Sequence, residues 1–333
     1  MISVIIPIYN AEHTLAQSVQ SIKGENIEII LVDDASRDKS LKVCLDLAAH
    51  DKRIKVIPLE KNLGAGNARN EGLKAAQGEY AAFADADDCV IEGIFDEALE
   101  KIKSSDWVIW GVSEQYPKGG RRDIVPESAE AVFLEKQTLF GYVYNKLYRI
   151  SIIREHNIQF EDTALYEDYF FNLKYVRCVN RTELIRQAGY IYRKGTEGSL
   201  TKRYVADYYQ LSRQRIQSMY EYCRSWKNGE ALLSEAARIM GNRYLRYILS
   251  ALARGFDKRA GIGRSGRIRF IRNLYGDELY SLLSASCRTE RKAYKILQYL
   301  INRRKTGLIC LYGRFVYLIK RIDKAAGEIT YES

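Results

Sequence analysis

Along the first hundred residues, short apolar runs alternate with longer stretches whose apolar residues return every three or four positions. ISVIIPIY (2–9), IEIILVD (27–33), RIKVIPL (53–59), EYAAFAD (79–85) and DWVIWG (106–111) each read as a buried strand. Between them, residues 12–22, 36–50, 64–77 and 91–103 read as helices; in the second, Leu41, Cys44, Leu45 and Ala48 share one face. Strands separated by helices of this length predict an α/β fold with a mostly parallel central sheet covered on both faces. Residues 112–130 are polar, contain KGGRRD and read as a mobile loop. Residues 131–176 mix helix with short strands, and beyond about residue 200 the chain becomes mainly helical. The expected division is a catalytic domain over 1–205, with a nucleotide half to about 110 and an acceptor half after it, then a basic helical region over 206–333.

Parallel sheets bind ligands beyond the C-terminal ends of their strands. That rule gathers Tyr9 and Asn10, Asp33 and Asp34, Asn62 and Gly64, and the cluster Asp85-Ala86-Asp87-Asp88 on one rim. Three acids within four positions repel unless a positive group sits among them or water surrounds them. A divalent cation such as Mg²⁺ or Mn²⁺, sharing its shell with substrate phosphates, answers this. A solvated turn with Asp88 favouring the dipole of the next helix answers it too. Asp33 and Asp34 suit a ribose or base contact, or an N-cap with Ser36. The stretch Asn62–Asn70 opens a helix with glycines, but neither GxGxxG nor GxxxxGK[ST] is present. Gly64 and Gly66 suit close backbone approach, and Arg69 suits pairing with a rim acid. Glu167 and Asp168 stand at the start of another helix, as N-terminal charges or as a general base.

Composition narrows these readings. The 333 residues are 47% hydrophobic, enough for a core. The six cysteines are scattered without CxxC or Cys/His spacing, so reduced thiols are expected rather than zinc or disulfides. No signal peptide opens the chain and no run of 18 uncharged apolar residues occurs, so a cytoplasmic protein is expected. The net charge of +10 conceals a division: residues 1–176 hold 20 Lys and Arg against 29 Asp and Glu, and residues 177–333 hold 32 against 13. The acidic front argues against a nucleic-acid groove there. The basic back half fits solvated helical faces, an RNA surface, or peripheral contact with an anionic inner-membrane surface. GLICLYGRFVYLIKR (307–321) lies flat on such a surface in that reading, and otherwise packs on the core or in a homo-oligomer.

ISVIIPIYNAE, EIILVDDASRDKS, NLGAGNARNEGLKAAQGEYAAFADADD, NKLYRISII and YEDYFFNLKY occur in this order. Together they resemble family 2 glycosyltransferases of the GT-A fold, over roughly residues 1–200. The bacterial branch that builds capsule, exopolysaccharide, lipopolysaccharide or wall glycans is the nearest in pattern. The resemblance implies a base pocket from Pro7, Tyr9, Glu12 and Asp34, shaped by Asp33, Asn67 and Arg69. It places Asp85 near the ribose with Ala86 beside it, and a Mn²⁺ or Mg²⁺ ion bridging the diphosphate at Asp87. It makes Asp168 the catalytic base, with Glu167, Asn145 and Lys146 on the acceptor side and Arg193 and Ser199 at the diphosphate or the flexible loop. Ala35 stands where this branch usually has Gly, and Ala86 where Ser is frequent. QxxRW is missing, which implies a non-processive enzyme. The implied reaction is inverting transfer from a nucleoside-diphosphate sugar, UDP-linked by expectation, to a hydroxyl of a glycan or lipid-linked glycan. A nucleotidyl- or phosphoryl-transferase and a non-catalytic sugar-nucleotide or glycan-binding protein are the rival readings; no nucleic acid partner is expected.

Overall fold

A computed structural model of the chain describes residues 1–117, 119–195, 204–225 and 230–325. It divides into two compact units, Met1–Lys202 and Arg203–Ser333. In chain order the first unit contains β1 (Ile2–Ile8), α1 (Leu15–Ser21), β2 (Ile27–Asp33), α2 (Ser40–His50), β3 (Ile54–Pro58), α3 (Ala65–Ala75), β4 (Tyr80–Phe83), β5 (Cys89–Val90) and α4 (Ile94–Ile102). There follow β6 (Trp107–Gln115), β7 (Arg121–Ile124), α5 (Ala131–Lys136), β8 (Lys146–Arg149), α6 (Ile150–Glu155), α7 (Glu167–Val176) and β9 (Thr182–Arg193).

One sheet runs β3-β2-β1-β4-β8-β6-β9-β5, with β7 paired to β6. The first four strands are parallel, as the alternation predicts. The other half is mixed: β8 is antiparallel to both β4 and β6, while β6 and β9 run parallel. The expectation of a mostly parallel sheet holds: β1–β4, β6 and β9 all run one way, and β5, β7 and β8 run against them. Residues 112–130, expected as a mobile loop, differ: β6 continues to Gln115 and returns as β7 in an antiparallel hairpin.

Two local features set the spacing of the rim. Ile5 and Pro7 share strand parity, and the Ile5 carbonyl accepts the Ala84 N–H at 3.1 Å. Pro7 thus turns its missing N–H toward the side where β4 has already ended, so a proline costs this central strand nothing there. Gly72 lets α3 lie directly on β1, since a Cβ at that position would fall 2.3 Å from Ile5 Cγ2. Beneath α3 and α7 lies an aromatic floor in which Phe160 stacks on Phe171 at 4.1 Å, with Phe83 edge-on to both.

The second unit is helical among its described residues. It comprises α8 (Tyr208–Arg224), α9 (Glu230–Arg254), a 3-10 turn (Lys258–Ala260), α10 (Arg264–Leu274), α11 (Glu278–Ser284), α12 (Lys292–Asn302) and α13 (Thr306–Ala325). Asp277 ties three of these together. It accepts the Leu279 and Tyr280 N–H groups at the start of α11, at 2.9 and 3.3 Å, together with Arg213 and Tyr209 from α8 and Tyr244 from α9. Burial pushes against its charge, but Arg213 and the two hydroxyls prevail and hold its carboxyl below the usual range. Asp277→Ala is expected to cost about 3 kcal/mol in urea unfolding, since it strips a cap and orphans a half-buried arginine. Asp277→Asn is expected to recover part of that loss.

Candidate active site

The β1 and β2 rim loops are laced together through main-chain groups. Ser36 Oγ accepts the Asn10 N–H and Asn10 Oδ1 accepts the Arg37 N–H. Ser40 Oγ accepts the Ala11 N–H, and Glu12 Oε2 accepts the Lys39 N–H at 2.9 Å. Glu12 is therefore engaged in fixing the loop, while Tyr9 stands exposed beside it. Asn10 and Ala35 both adopt left-handed backbone, at φ 53° and 54°. For Ala35 this costs roughly 1 kcal/mol, which gives a physical reason for glycine at that position.

The two acids that end β2 are both buried and do different work. Asp34 spends both oxygens on the entry to α3, accepting the Leu63 N–H at 2.6 Å and the Gly64 N–H at 2.8 Å. Burial raises its pKa against the pull of those two N–H groups. Asp33 accepts the Ser36 N–H with one oxygen, and its Oδ1 has no partner among the described residues. Of the pair, Asp33 has capacity left for a ligand. Asn67, expected in the pocket, returns its amide to the Leu63 carbonyl at 2.8 Å.

Arg69 is the centre of the site. It projects from the first turns of α3, is 4% exposed, and divides its guanidinium between two carboxylates. Nη2 donates to Asp85 at the end of β4 at 2.9 Å, and Nη1 to Asp168 in the first turn of α7 at 2.8 Å. Gly66 permits this approach, because a Cβ there would sit 3.2 Å from Phe160 Cβ and 3.5 Å from Glu167 Cγ. Gly64, in contrast, is needed for its φ of 86° and has open space around it. Asn70 reinforces the junction by giving and receiving hydrogen bonds with the Phe160 main chain, both at 2.9 Å. The carboxylates around Arg69 overcome the effect of its burial and hold its charge firmly. Asp168 is raised to about 7 by burial; Arg69 opposes that shift, and Glu167 and Asp85 add to it.

The acids of the turn after β4 sit in unlike surroundings. Asp88 is buried, not a helix cap: α4 begins later, at Ile94, behind Gly93. Asp88 Oδ1 accepts the Arg193 N–H at 2.8 Å, pinning the end of β9 to the turn. Burial, then the charge of Asp85, pushes its pKa to about 9. Arg193 also donates to the Asp87 carbonyl at 3.3 Å, and Tyr190 Oη accepts the Asp85 N–H at 2.9 Å. Ala86 is buried in the turn, while Asp85 and Asp87 remain partly open. Among the described residues no group of three His, Cys, Asp or Glu side chains is placed to hold a metal ion. One or two part-exposed carboxylates do suit a hard cation that takes its remaining ligands from water and a diphosphate.

Asn145 and Lys146, expected on the acceptor side, turn their side chains into the protein. Both are fully buried. Lys146 donates to the carbonyls of Leu139 and Tyr142 and to Asn145 Oδ1, and Asn145 donates to the Trp110 carbonyl at 2.9 Å. Burial drives the Lys146 pKa well down. Lys146 thus holds segment 139–142 and Asn145 holds β6 to the same junction. Asn172 completes that support by donating to the Phe140 and Tyr142 carbonyls, and neither Asn172 nor Asn70 was singled out from sequence. Ser199 lies outside the described residues.

Comparison with known proteins gives these positions a context. The family model described as Glycosyl transferase family 2 matches residues 3–164. An uncharacterized glycosyltransferase of Haemophilus influenzae is 32% identical over 183 residues, which are 52% of this chain and 73% of that protein. EpsJ of Bacillus subtilis, an uncharacterized glycosyltransferase, is 33% identical over 219 residues, or 61% of this chain and 63% of its own length. Staphylococcus aureus TarS, a poly(ribitol-phosphate) beta-N-acetylglucosaminyltransferase, is 28% identical over 224 residues, or 63% of this chain but 39% of TarS. The crystal structure of TarS 1–349 with UDP-GlcNAc aligns at a TM-score of 0.64 and 20% identity, covering 98% of this chain and 92% of that one. That likeness is one of fold, and it is GT-A-like. The chain spans less than two thirds of the length of EpsJ and of TarS.

Proposed function

This chain belongs to glycosyltransferase family 2, and on that premise we propose that it transfers a sugar from a UDP-linked donor to a hydroxyl of a cell-envelope polymer, with inversion. The observation that supports this best is the Arg69 fork, which ties the acid turn after β4 to the acid that opens α7. Donor and acceptor chemistry need two such carboxylate positions, one at the leaving diphosphate and one at the incoming hydroxyl.

In this reading Asp33, through its unpartnered oxygen, and Tyr9 receive the base. Asp85 and Asp87 face the ribose and diphosphate, with their turn held by Arg193 and Tyr190. A Mg²⁺ or Mn²⁺ ion held at Asp87 with the diphosphate would offset negative charge on the leaving group. Asp168 accepts the proton of the acceptor hydroxyl, whose oxygen attacks the anomeric carbon from the face opposite the diphosphate. The bond from that carbon to the β-phosphate oxygen breaks, and nucleoside diphosphate leaves. Arg69 orients Asp168 throughout and keeps Asp85 from repelling it.

The test is a panel of nucleotide sugars with Mg²⁺ or Mn²⁺ and a poly(ribitol-phosphate) or glycan acceptor, scored for nucleoside diphosphate and for pyrophosphate. Release of nucleoside diphosphate with acceptor glycosylation is expected; pyrophosphate as the product would overturn the proposal. Chelation, or Asp87→Ala, is expected to lower turnover by about 10²-fold or more, the equivalent of about 3 kcal/mol of charge stabilisation. Full activity in EDTA would remove the metal from the scheme.

A further inference from the structure

We propose that the outer face of α13 is an attachment surface for an anionic lipid bilayer, on which the helix lies flat. Leu308, Leu311, Phe315, Leu318 and Ile319 are each between 40% and 63% exposed. Their spacing of three, four, three and one places them in a single stripe along the helix. The stripe is not the face that packs the helix into its own unit. That work falls to Ile309, which is fully buried, and to Gly313, where a Cβ would meet Leu252 of α9 at 3.2 Å. Five large apolar side chains are therefore left facing water after the fold is complete.

Charge decides what covers them. Arg314 and Arg321 flank the stripe along one side, and Arg303, Arg304 and Lys305 are exposed just before the helix begins. Residues 286–321 hold ten Lys and Arg against a single acid, Glu290. Of these, Lys320 is only part-exposed while Arg314 and Arg321 are exposed, so the outward positive charge sits at the margins of the stripe. A second copy meeting this face with its own α13 would bring like charge against like. A surface of anionic headgroups over an apolar interior matches both the stripe and its rim. No described helix is long and apolar enough to cross a membrane, and a 20-residue helix lying in the interface needs no such length.

Co-sedimentation of the full chain with vesicles tests this directly. The protein is expected to pellet with phosphatidylglycerol–phosphatidylcholine vesicles at low salt and to stay in the supernatant with phosphatidylcholine alone. Leu311→Ser combined with Phe315→Ser, and separately Arg314→Glu with Arg321→Glu, are each expected to lower partitioning by about tenfold or more. The substituted side chains are exposed, and the charge pair provides a second reading should the apolar pair lose helix by circular dichroism. Release of nucleoside diphosphate from nucleotide sugar in solution is expected to be unchanged in both, which separates this surface from the catalytic proposal. Equal partitioning of parent and variants, or no binding to anionic vesicles, would overturn the inference. So would a salt-resistant dimer of the parent chain that the Leu311/Phe315 variant abolishes.

Discussion

Asp168→Asn is expected to lower sugar transfer by about 10²–10⁴-fold, the usual contribution of a positioned general base. Affinity for the nucleoside diphosphate is expected to stay close to that of the parent, because Asp85 and Asp87 are untouched. The pH profile supplies an independent readout. Burial lifts the Asp168 pKa to about 7 despite the Arg69 guanidinium beside it. A base works only when ionised, so kcat/KM is expected to climb as pH rises through about 7 and to flatten above it. That slope is expected to vanish in the Asn variant. An unchanged profile, or full activity without the carboxylate, would remove Asp168 from the reaction.

The second large effect is expected at Arg69. Arg69→Met removes a buried cation that two carboxylates share, and breaking a buried pair costs about 3–5 kcal/mol. The lower end applies, since Asp85 and Asp168 retain 30% and 21% exposure and water can reach them. Transfer is expected to fall with it, because two neighbouring acids then repel and Asp168 loses its orientation. Arg69→Lys separates stability from geometry. It keeps the charge but has no planar fork to reach both acids at once. Partial recovery of stability without recovery of turnover is the expected result. Activity recovering in step with stability would reduce Arg69 to a structural role.

The parallel half of the sheet was legible because β1, β2 and β4 are buried on both faces and read as unbroken apolar runs. The β6–β7 hairpin was not, because Arg121, Arg122 and Asp123 are exposed on an edge strand and offer no apolar alternation. At the site, sequence expectation gave Arg69 a rim acid. The structure gives it two, 16 and 99 residues away, and the second is a contact that no local spacing announces. Asp85, Asp87 and Asp88 look interchangeable in a string of letters, yet one is ion-paired and another is buried against β9. The inward turn of Asn145 and Lys146 is hidden for the same reason. A polar side chain in a motif suggests a ligand, whereas here the partners are main-chain carbonyls of the protein itself, Trp110 for Asn145 and Leu139 and Tyr142 for Lys146.

The clasp that Asp34 closes on the start of α3 addresses only amide groups of the main chain, at Leu63 and Gly64. It is indifferent to which side chain residue 63 carries. Exchanging Leu63, 36% exposed, for any residue that keeps its main-chain N–H is expected to leave that latch closed, so the position can be altered without unfastening α3.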